Sequence, residues 1–224
     1  MTTKHPARYS DPLLPVFAQM LRETDCQHIH DPFAGTGRIF ELRGNGYTGT
    51  ITASELEPEW AAMHPETEIA NALQLPYPDD SFDAIVTSPT YGNRMADHFT
   101  PGDGWENARS TRNTYTHAIG RQLHPHNSGA MQWGDEYRDF HRLAWTETRR
   151  VIRPGGYLIL NISDHIRGGQ RQPVTKWHIH TLTALDFSLI RSIPVPTRRQ
   201  RRGQNGHLRT EEEYVIQFQK GENQ

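Results

Sequence analysis

Two short stretches and one isolated acid carry the residue types that could do chemistry. The first stretch is Asp31-Pro32-Phe33-Ala34-Gly35-Thr36-Gly37. Gly35 and Gly37 lack Cβ atoms, so the backbone can turn sharply there and approach a ligand closely. No Gly-Lys-Ser/Thr follows, so this is not a loop that cradles a triphosphate. Nor is it the three-glycine dinucleotide fingerprint. The isolated acid is Glu55, which can accept hydrogen bonds from both hydroxyls of a ribose. Its competing reading is a charge at a helix N-terminus, because Leu56-Glu57-Pro58 opens a helix. The second stretch is Thr87-Ser88-Pro89-Thr90-Tyr91. Alone it reads first as a strand ending in a Ser-Pro turn with a buried tyrosine, and it gains a chemical reading from the glycine turn.

The elements that must position these residues alternate between strand and helix. Leu14, Phe17, Ala18 and Leu21 give one apolar face to a helix over 13–24. Strands are predicted at 28–30, 50–54, 68–70, 82–87, 157–162 and 187–195. A final antiparallel strand is predicted at 213–219, where apolar and polar residues alternate. Short helices are predicted at 36–42 and 58–63, and longer ones at 135–152 and 174–185. In the helix over 135–152, Tyr137, Phe140, Leu143, Ala144 and Val151 are the expected buried positions. Pro154-Gly155-Gly156 reads as a turn. Strands separated by helices imply a mostly parallel sheet covered on both faces. Ligands bind such sheets at the carboxyl ends of the strands, near the topological switch point. The glycine turn, Glu55 and Ser88–Tyr91 all fall at such ends.

Composition bounds the remainder. The chain has 224 residues, of which 34% are apolar, with mean hydropathy −0.78. That length fits one domain spanning 1–224, and the polarity requires much of the chain to lie outside the core. Cys26 is the single cysteine, which excludes an internal disulfide and a cysteine-based zinc site and points to a cytoplasmic location. The N-terminus carries no apolar signal region, and no apolar run approaches the roughly 18–20 residues that span a bilayer, so no membrane association is expected. Lysine occurs only at Lys4, Lys176 and Lys220, and the other basic residues are arginine. That bias reflects either codon composition or bidentate phosphate and base contact.

Periodicity disappears over 92–134, where Arg94, Arg109, Arg112 and Arg121 lie among Asn, His and Trp. About 40 residues without a core is too long for an ordinary connection, so this stretch is either a substrate-binding lid or an unstructured loop. His117, His124 and His126 lack a cysteine or paired carboxylate beside them, and no metal is expected. Residues 191–209 hold six arginines (Arg191, Arg198, Arg199, Arg201, Arg202 and Arg209) and no acid. Arg94, Arg198, Arg199, Arg201 and Arg202 are the expected nucleic-acid contacts, against the alternative of a solvated loop.

The sequence also resembles a known family. Asp31–Gly37 resembles motif I of class I methyltransferases, in the form found in amino-methyltransferases of DNA and RNA. Ser88-Pro89-Thr90-Tyr91 is similar to motif IV of the DNA amino-methyltransferases, with Thr90 where a second proline is usual. Asp79–Asp83, Arg153–Gly156 and His5–Ser10 are similar to further family segments. The resemblance implies a Rossmann-like α/β fold, with a seven-stranded, mostly parallel sheet and an antiparallel last strand. It implies S-adenosyl-L-methionine as cofactor, held by Asp31, Phe33, Ala34, Gly35, Gly37, Glu55, Asn71 and Ser88, with Asn71 near the adenine. His5–Ser10 would cover the methionine end.

The same resemblance implies catalysis by Ser88, Pro89 and Tyr91 on an amino group of a flipped base in DNA. An exocyclic amine is a poor nucleophile because its lone pair is delocalised into the ring. Ser88 Oγ and the Pro89 carbonyl can accept its two N–H groups, favour a pyramidal nitrogen and stabilise the developing positive charge. Tyr91 can stack on the extruded base. Serine at the first position resembles the cytosine-N4 enzymes more than the adenine-N6 enzymes. Asn161, Asp164 and His165, after the fifth strand, could line the pocket and supply a base for the product proton. Alternatives are an RNA base methyltransferase, a protein-glutamine methyltransferase and a non-catalytic cofactor-binding subunit.

Overall fold

The structure, a computed structural model, describes residues 5, 9–96, 114–197, 206–208 and 211–222. Helix α1 (Leu13–Glu23) places Leu13, Leu14, Phe17, Ala18 and Leu21 on a buried face. Pro15 is tolerated because the first turn of a helix needs no backbone donor. Strand β1 (His28–Asp31) follows, then a 3₁₀ segment (Arg38–Asn45) where the sequence predicts a short helix over 36–42. Gly37 and Gly46, both left-handed, bound that segment. Next come β2 (Thr50–Glu55), α2 (Pro58–Ala61), β3 (Thr67–Ile69) and β4 (Phe82–Thr87). The second half holds α3 (Tyr115–Ile119), α4 (Asp135–Val151), β5 (Ile152–Ile162), β6 (His165–Arg167), β7 (Gln170–Gln172), α5 (Val174–Ala184), β8 (Phe187–Pro196) and β9 (Glu212–Lys220).

Seven strands form one sheet in the order β3-β2-β1-β4-β5-β9-β8. The first five run parallel, and β9 is antiparallel to both of its neighbours. Successive side chains point to opposite faces, so the central strands fill two cores at once. Ile159 and Val215 join α1 and the 3₁₀ segment on one face. Leu158, Leu160, Ile216 and Phe218 join Trp145, Val174 and Leu182 of α4 and α5 on the other.

Three local expectations change. Leu143 is 59% exposed, while His141, Trp145 and Thr148 take the buried face of α4. Pro154-Gly155-Gly156 is a bulge inside β5 rather than a turn before it, with the register against β4 shifting between Phe82 and Ala84. A Cβ on Gly156 would stand 2.7 Å from the Asp83 carbonyl oxygen, so the strands can close only over glycine. The β6–β7 hairpin was not predicted. Its turn is Gly168-Gly169, with φ of +59° and +75°, the left-handed pair a two-residue hairpin favours. Among the described residues no helix is long and apolar enough to cross a membrane.

Candidate active site

β1 pairs with β2 on one side and β4 on the other, so the carboxyl ends of β1 and β4 lie side by side at the switch point. A cavity of about 330 Å³ opens there. Its wall includes Phe33, Ala34, Gly35, Glu55, Ser88, Pro89 and Tyr91 from the sequence-predicted set. Three predicted cofactor residues, Asp31, Gly37 and Asn71, stand outside the lining. Gly37 faces away, and a Cβ there would meet His64 Cβ at 2.5 Å, so its glycine serves packing. Asn71 turns its Oδ1 to the backbone N–H of Leu73 (3.0 Å), and its neighbour Ala72 lines the cavity instead.

Asp31 lies beneath the cavity floor, fully buried. Its carboxylate accepts from the Tyr9 hydroxyl, from Thr87 Oγ1 (2.7 Å) and from the backbone N–H of Phe33 (3.0 Å). Burial pushes its pKa up to about 6, against the pull of these three donors. Asp31 thus fastens the glycine turn, the end of β4 and the N-terminal segment to one another. That segment also covers the turn. A Cβ on Gly35 would lie 3.4 Å from the His5 ring, which packs edge-on against Trp60 with centroids 4.4 Å apart.

Glu55 faces the same turn across the end of β2. Its carboxylate accepts from the N–H groups of Gly35 (3.0 Å), Leu56 (2.9 Å) and Glu57 (3.0 Å). Burial outweighs those donors and raises its pKa to about 7, helped by the neighbouring Glu57. Glu55 satisfies the backbone ahead of α2 and also lines the cavity.

The opposite wall gathers oxygen atoms. Asn161 Nδ2, at the end of β5, lies 3.0 Å from Ser88 Oγ, 2.8 Å from Tyr91 Oη and 2.9 Å from Glu213 Oε2 of β9. Ser88 Oγ and Tyr91 Oη are 3.2 Å apart, and Tyr91 donates to Glu213 at 3.4 Å. The carboxylate fixes the orientation of the amide, since only the NH₂ end can donate to it. Asn161 Oδ1 is then buried without a partner among the described residues.

Thr90 clips this wall to the following segment. Its hydroxyl lies 2.9 Å from Ser128 Oγ and 3.1 Å from the Ser128 carbonyl, and its own carbonyl accepts from Tyr137 Oη at 2.7 Å. Tyr137 in turn meets His178 Nε2 (3.0 Å), whose Nδ1 accepts from Trp145 Nε1 (3.0 Å). Burial holds His178 well below its ordinary pKa, in keeping with a neutral ring that accepts that bond. The described part of the polar stretch, 114–134, has a small core of its own, in which Tyr115 and Leu123 pack on Trp60. Tyr115, His126, Asn127 and Ser128 reach the cavity wall.

Of the basic residues, Arg121 is held by Glu57 (2.6 Å) and Glu59 (2.5 Å), and Arg191 by Glu23 (2.6 Å) and Gln217 (2.7 Å). Arg198, Arg199, Arg201, Arg202 and the side chain of Arg94 lie outside the described residues. Asp164 is turned to Arg171 and the N-terminus of α5, and neither it nor His165 lines the cavity. Among the described residues no group of three His, Cys, Asp or Glu side chains could hold a metal ion. Sequence reasoning missed Glu213, Trp60 and Tyr115 as wall residues. Glu213 carries no local signal, because only the antiparallel insertion of β9 beside β5 brings it to Ser88.

No protein-family profile matches the chain, and no curated protein matches it in sequence. Solved structures do match. The cyclase SpnF is similar at 14% identity over 93% of this chain and 82% of that one, with a TM-score of 0.54. A SAM-dependent methyltransferase from Methanosarcina mazei is similar at 16% identity over 87% and 92%, with a TM-score of 0.53. A sarcosine dimethylglycine methyltransferase candidate from Galdieria sulphuraria is similar at 11% identity over 98% and 93%, with a TM-score of 0.58. A cyclase and methyltransferases share this architecture, so the fold does not choose the reaction. The seven-stranded mixed sheet, with β9 inserted antiparallel, is the Rossmann-like fold of the class I S-adenosylmethionine-dependent methyltransferases.

Proposed function

We propose that the cavity binds S-adenosyl-L-methionine and that the chain is a methyltransferase acting on an exocyclic amino group of a base flipped out of DNA, cytosine N4 ahead of adenine N6. The observation that carries this reading is one cavity with two unlike ends. Glu55 and the open backbone at Gly35 suit a ribose and its attached chain, while Ser88, Pro89 and Glu213, which bring oxygen acceptors to the other end, suit a group rich in N–H donors. When bound, the cofactor supplies an electrophilic methyl group on a sulfonium. Phe33, Ala34, Gly35 and Glu55 would hold it. Ser88 and Pro89 orient the amine, and Tyr91 offers a ring on which a base can stack.

Residues 1–224 are read as one methyltransferase domain, with 92–134 as a cover on the substrate side. The wall positions of Tyr115, Asn127 and Ser128 support that cover. The choice of nucleic acid rests on the motif resemblance and on the arginines at 198, 199, 201 and 202. Radiolabelled cofactor offered in parallel to duplex DNA, single-stranded DNA, total RNA and protein tests it. Label in DNA, released as a methylated cytosine on digestion to nucleosides, is the expected result. Label confined to RNA or protein overturns the DNA assignment, and no label anywhere overturns the activity.

The Glu55 carboxyl gives this reading a pH signature. With a pKa near 7 it is largely protonated at pH 6 and ionised at pH 8. Ribose hydroxyls donate more strongly to the ionised form, in which both oxygens accept, so binding draws the proton off and tightens as pH rises through 7. The affinity for 5′-methylthioadenosine, which has no amino-acid end to titrate, is expected to rise about tenfold from pH 6 to pH 8 by calorimetry. Glu57 and Tyr115 also act electrostatically on Glu55. Glu55→Gln should therefore be compared over the whole range, and a slope that survives it assigns the titration elsewhere.

A further inference from the structure

An amine that accepts a methyl group becomes an ammonium and must lose a proton, and a serine hydroxyl cannot be where that proton stops. Ser88 Oγ can take the proton only if its own proton moves on. The structure supplies a path for it. Tyr91 Oη is 3.2 Å from Ser88 Oγ, and the Glu213 carboxylate is 3.4 Å beyond. Asn161, 1% exposed, sets one NH₂ group within 3.0 Å of all three oxygens, its two N–H groups shared among them. Because Asn161 Nδ2 can only donate, neither hydroxyl proton points at it, and both can lie along the line from Ser88 to Tyr91 to Glu213. Glu55, the other carboxylate in the wall, is engaged by three backbone N–H groups beside the glycine turn. His126, on the rim, is turned toward Asn71.

Resting on the methyltransferase reading, we propose that Glu213 is the terminal proton acceptor of methyl transfer, reached from the substrate amine through Ser88 and Tyr91. The acceptor nitrogen forms its bond to the methyl carbon as the carbon–sulfur bond breaks, and that bond's electron pair leaves on the neutral thioether. The nitrogen then carries the positive charge. One of its protons passes to Ser88 Oγ as the serine proton passes to Tyr91 Oη and the tyrosine proton to Glu213 Oε2. The product amine and the glutamic acid are both neutral, and the acid releases its proton to water before the next turnover. The arrangement selects an acceptor that has a proton to lose, namely a primary or secondary amino group.

The test uses the full chain and the nucleic acid that wild type labels. Glu213→Gln keeps the volume and the hydrogen-bonding oxygen but cannot take the proton. Its turnover is expected to fall about 100-fold, the usual size of a general-base contribution, with KM and the affinity for S-adenosylhomocysteine within about twofold of wild type. Glu213→Ala is expected to regain at least about tenfold of its lost rate in sodium formate, and nothing in sodium chloride of equal ionic strength. Turnover of Glu213→Gln within about threefold of wild type overturns the relay, as does failure of formate to rescue Glu213→Ala. Loss of S-adenosylhomocysteine binding in Glu213→Gln also overturns it, because the carboxylate would then belong to the cofactor. A wild-type protein that labels no acceptor overturns the methyltransferase reading itself, a result distinct from any of these.

Discussion

Tyr91→Ala is expected to bind S-adenosylhomocysteine as wild type does and to transfer methyl groups about 100-fold more slowly. The tyrosine stands on the acceptor wall and packs against the α4–α5 core from the cavity side. Its removal takes away a ring on which an extruded base can stack, worth about 1–3 kcal/mol per base. It also removes the hydroxyl 2.8 Å from Asn161. Tyr91→Phe separates the two contributions. The ring remains, so affinity for nucleic acid should persist, while the rate should fall as it does in Glu213→Gln. Rates measured in single turnover with saturating cofactor decide the matter, and a Tyr91→Ala protein of normal rate would remove stacking from the account.

Gly35→Val should abolish measurable cofactor binding while lowering the unfolding temperature by only about 5–10 °C, so that the chain stays folded at assay temperature. The backbone there has φ of +56°, a region that costs a residue with a Cβ about 1–2 kcal/mol and a β-branched residue more. The new side chain would also project toward the His5 ring, over the mouth of the cavity. Both effects act on the turn that faces Glu55, and neither touches the α4–α5 core. Calorimetry with S-adenosylhomocysteine reads the loss, and circular dichroism against temperature shows that the fold survives. Gly35→Ala, with a single Cβ in ordinary contact distance of His5, should show an intermediate loss. Tight binding to Gly35→Val would mean that the ligand lies elsewhere.

Much of the sheet was legible because its strands alternate or are uniformly apolar and end at strong punctuation. Phe82–Thr87 was bounded correctly by Asp-Asp-Ser before it and Ser-Pro after it. The short helix expected at 36–42 is a 3₁₀ segment at 38–45, a type that apolar spacing does not distinguish, and the short helical turns between 114 and 130 carry too few residues to show a period. Leu143 was misplaced because His141 and Trp145 are amphipathic. Buried partners at Tyr137 and His178 let them take the inner face and leave the leucine outside. In the cavity, the residues found from sequence lie on continuous turns at strand ends. Those missed, Glu213 above all, depend on strand order, which no local pattern records.

That strand order also sets a sequence of assembly. The glycine turn meets Glu55 across 20 residues of chain, whereas Tyr91 meets Glu213 across 122. Contacts distant in sequence must wait for more of the chain to be arranged before they form. The Glu55 side of the cavity is therefore built from contacts among the first strands, whereas the side that holds Ser88, Tyr91 and Glu213 is complete only with β9 between β5 and β8. A chain that makes its short-range contacts first completes the glycine-turn side before the Ser88 side.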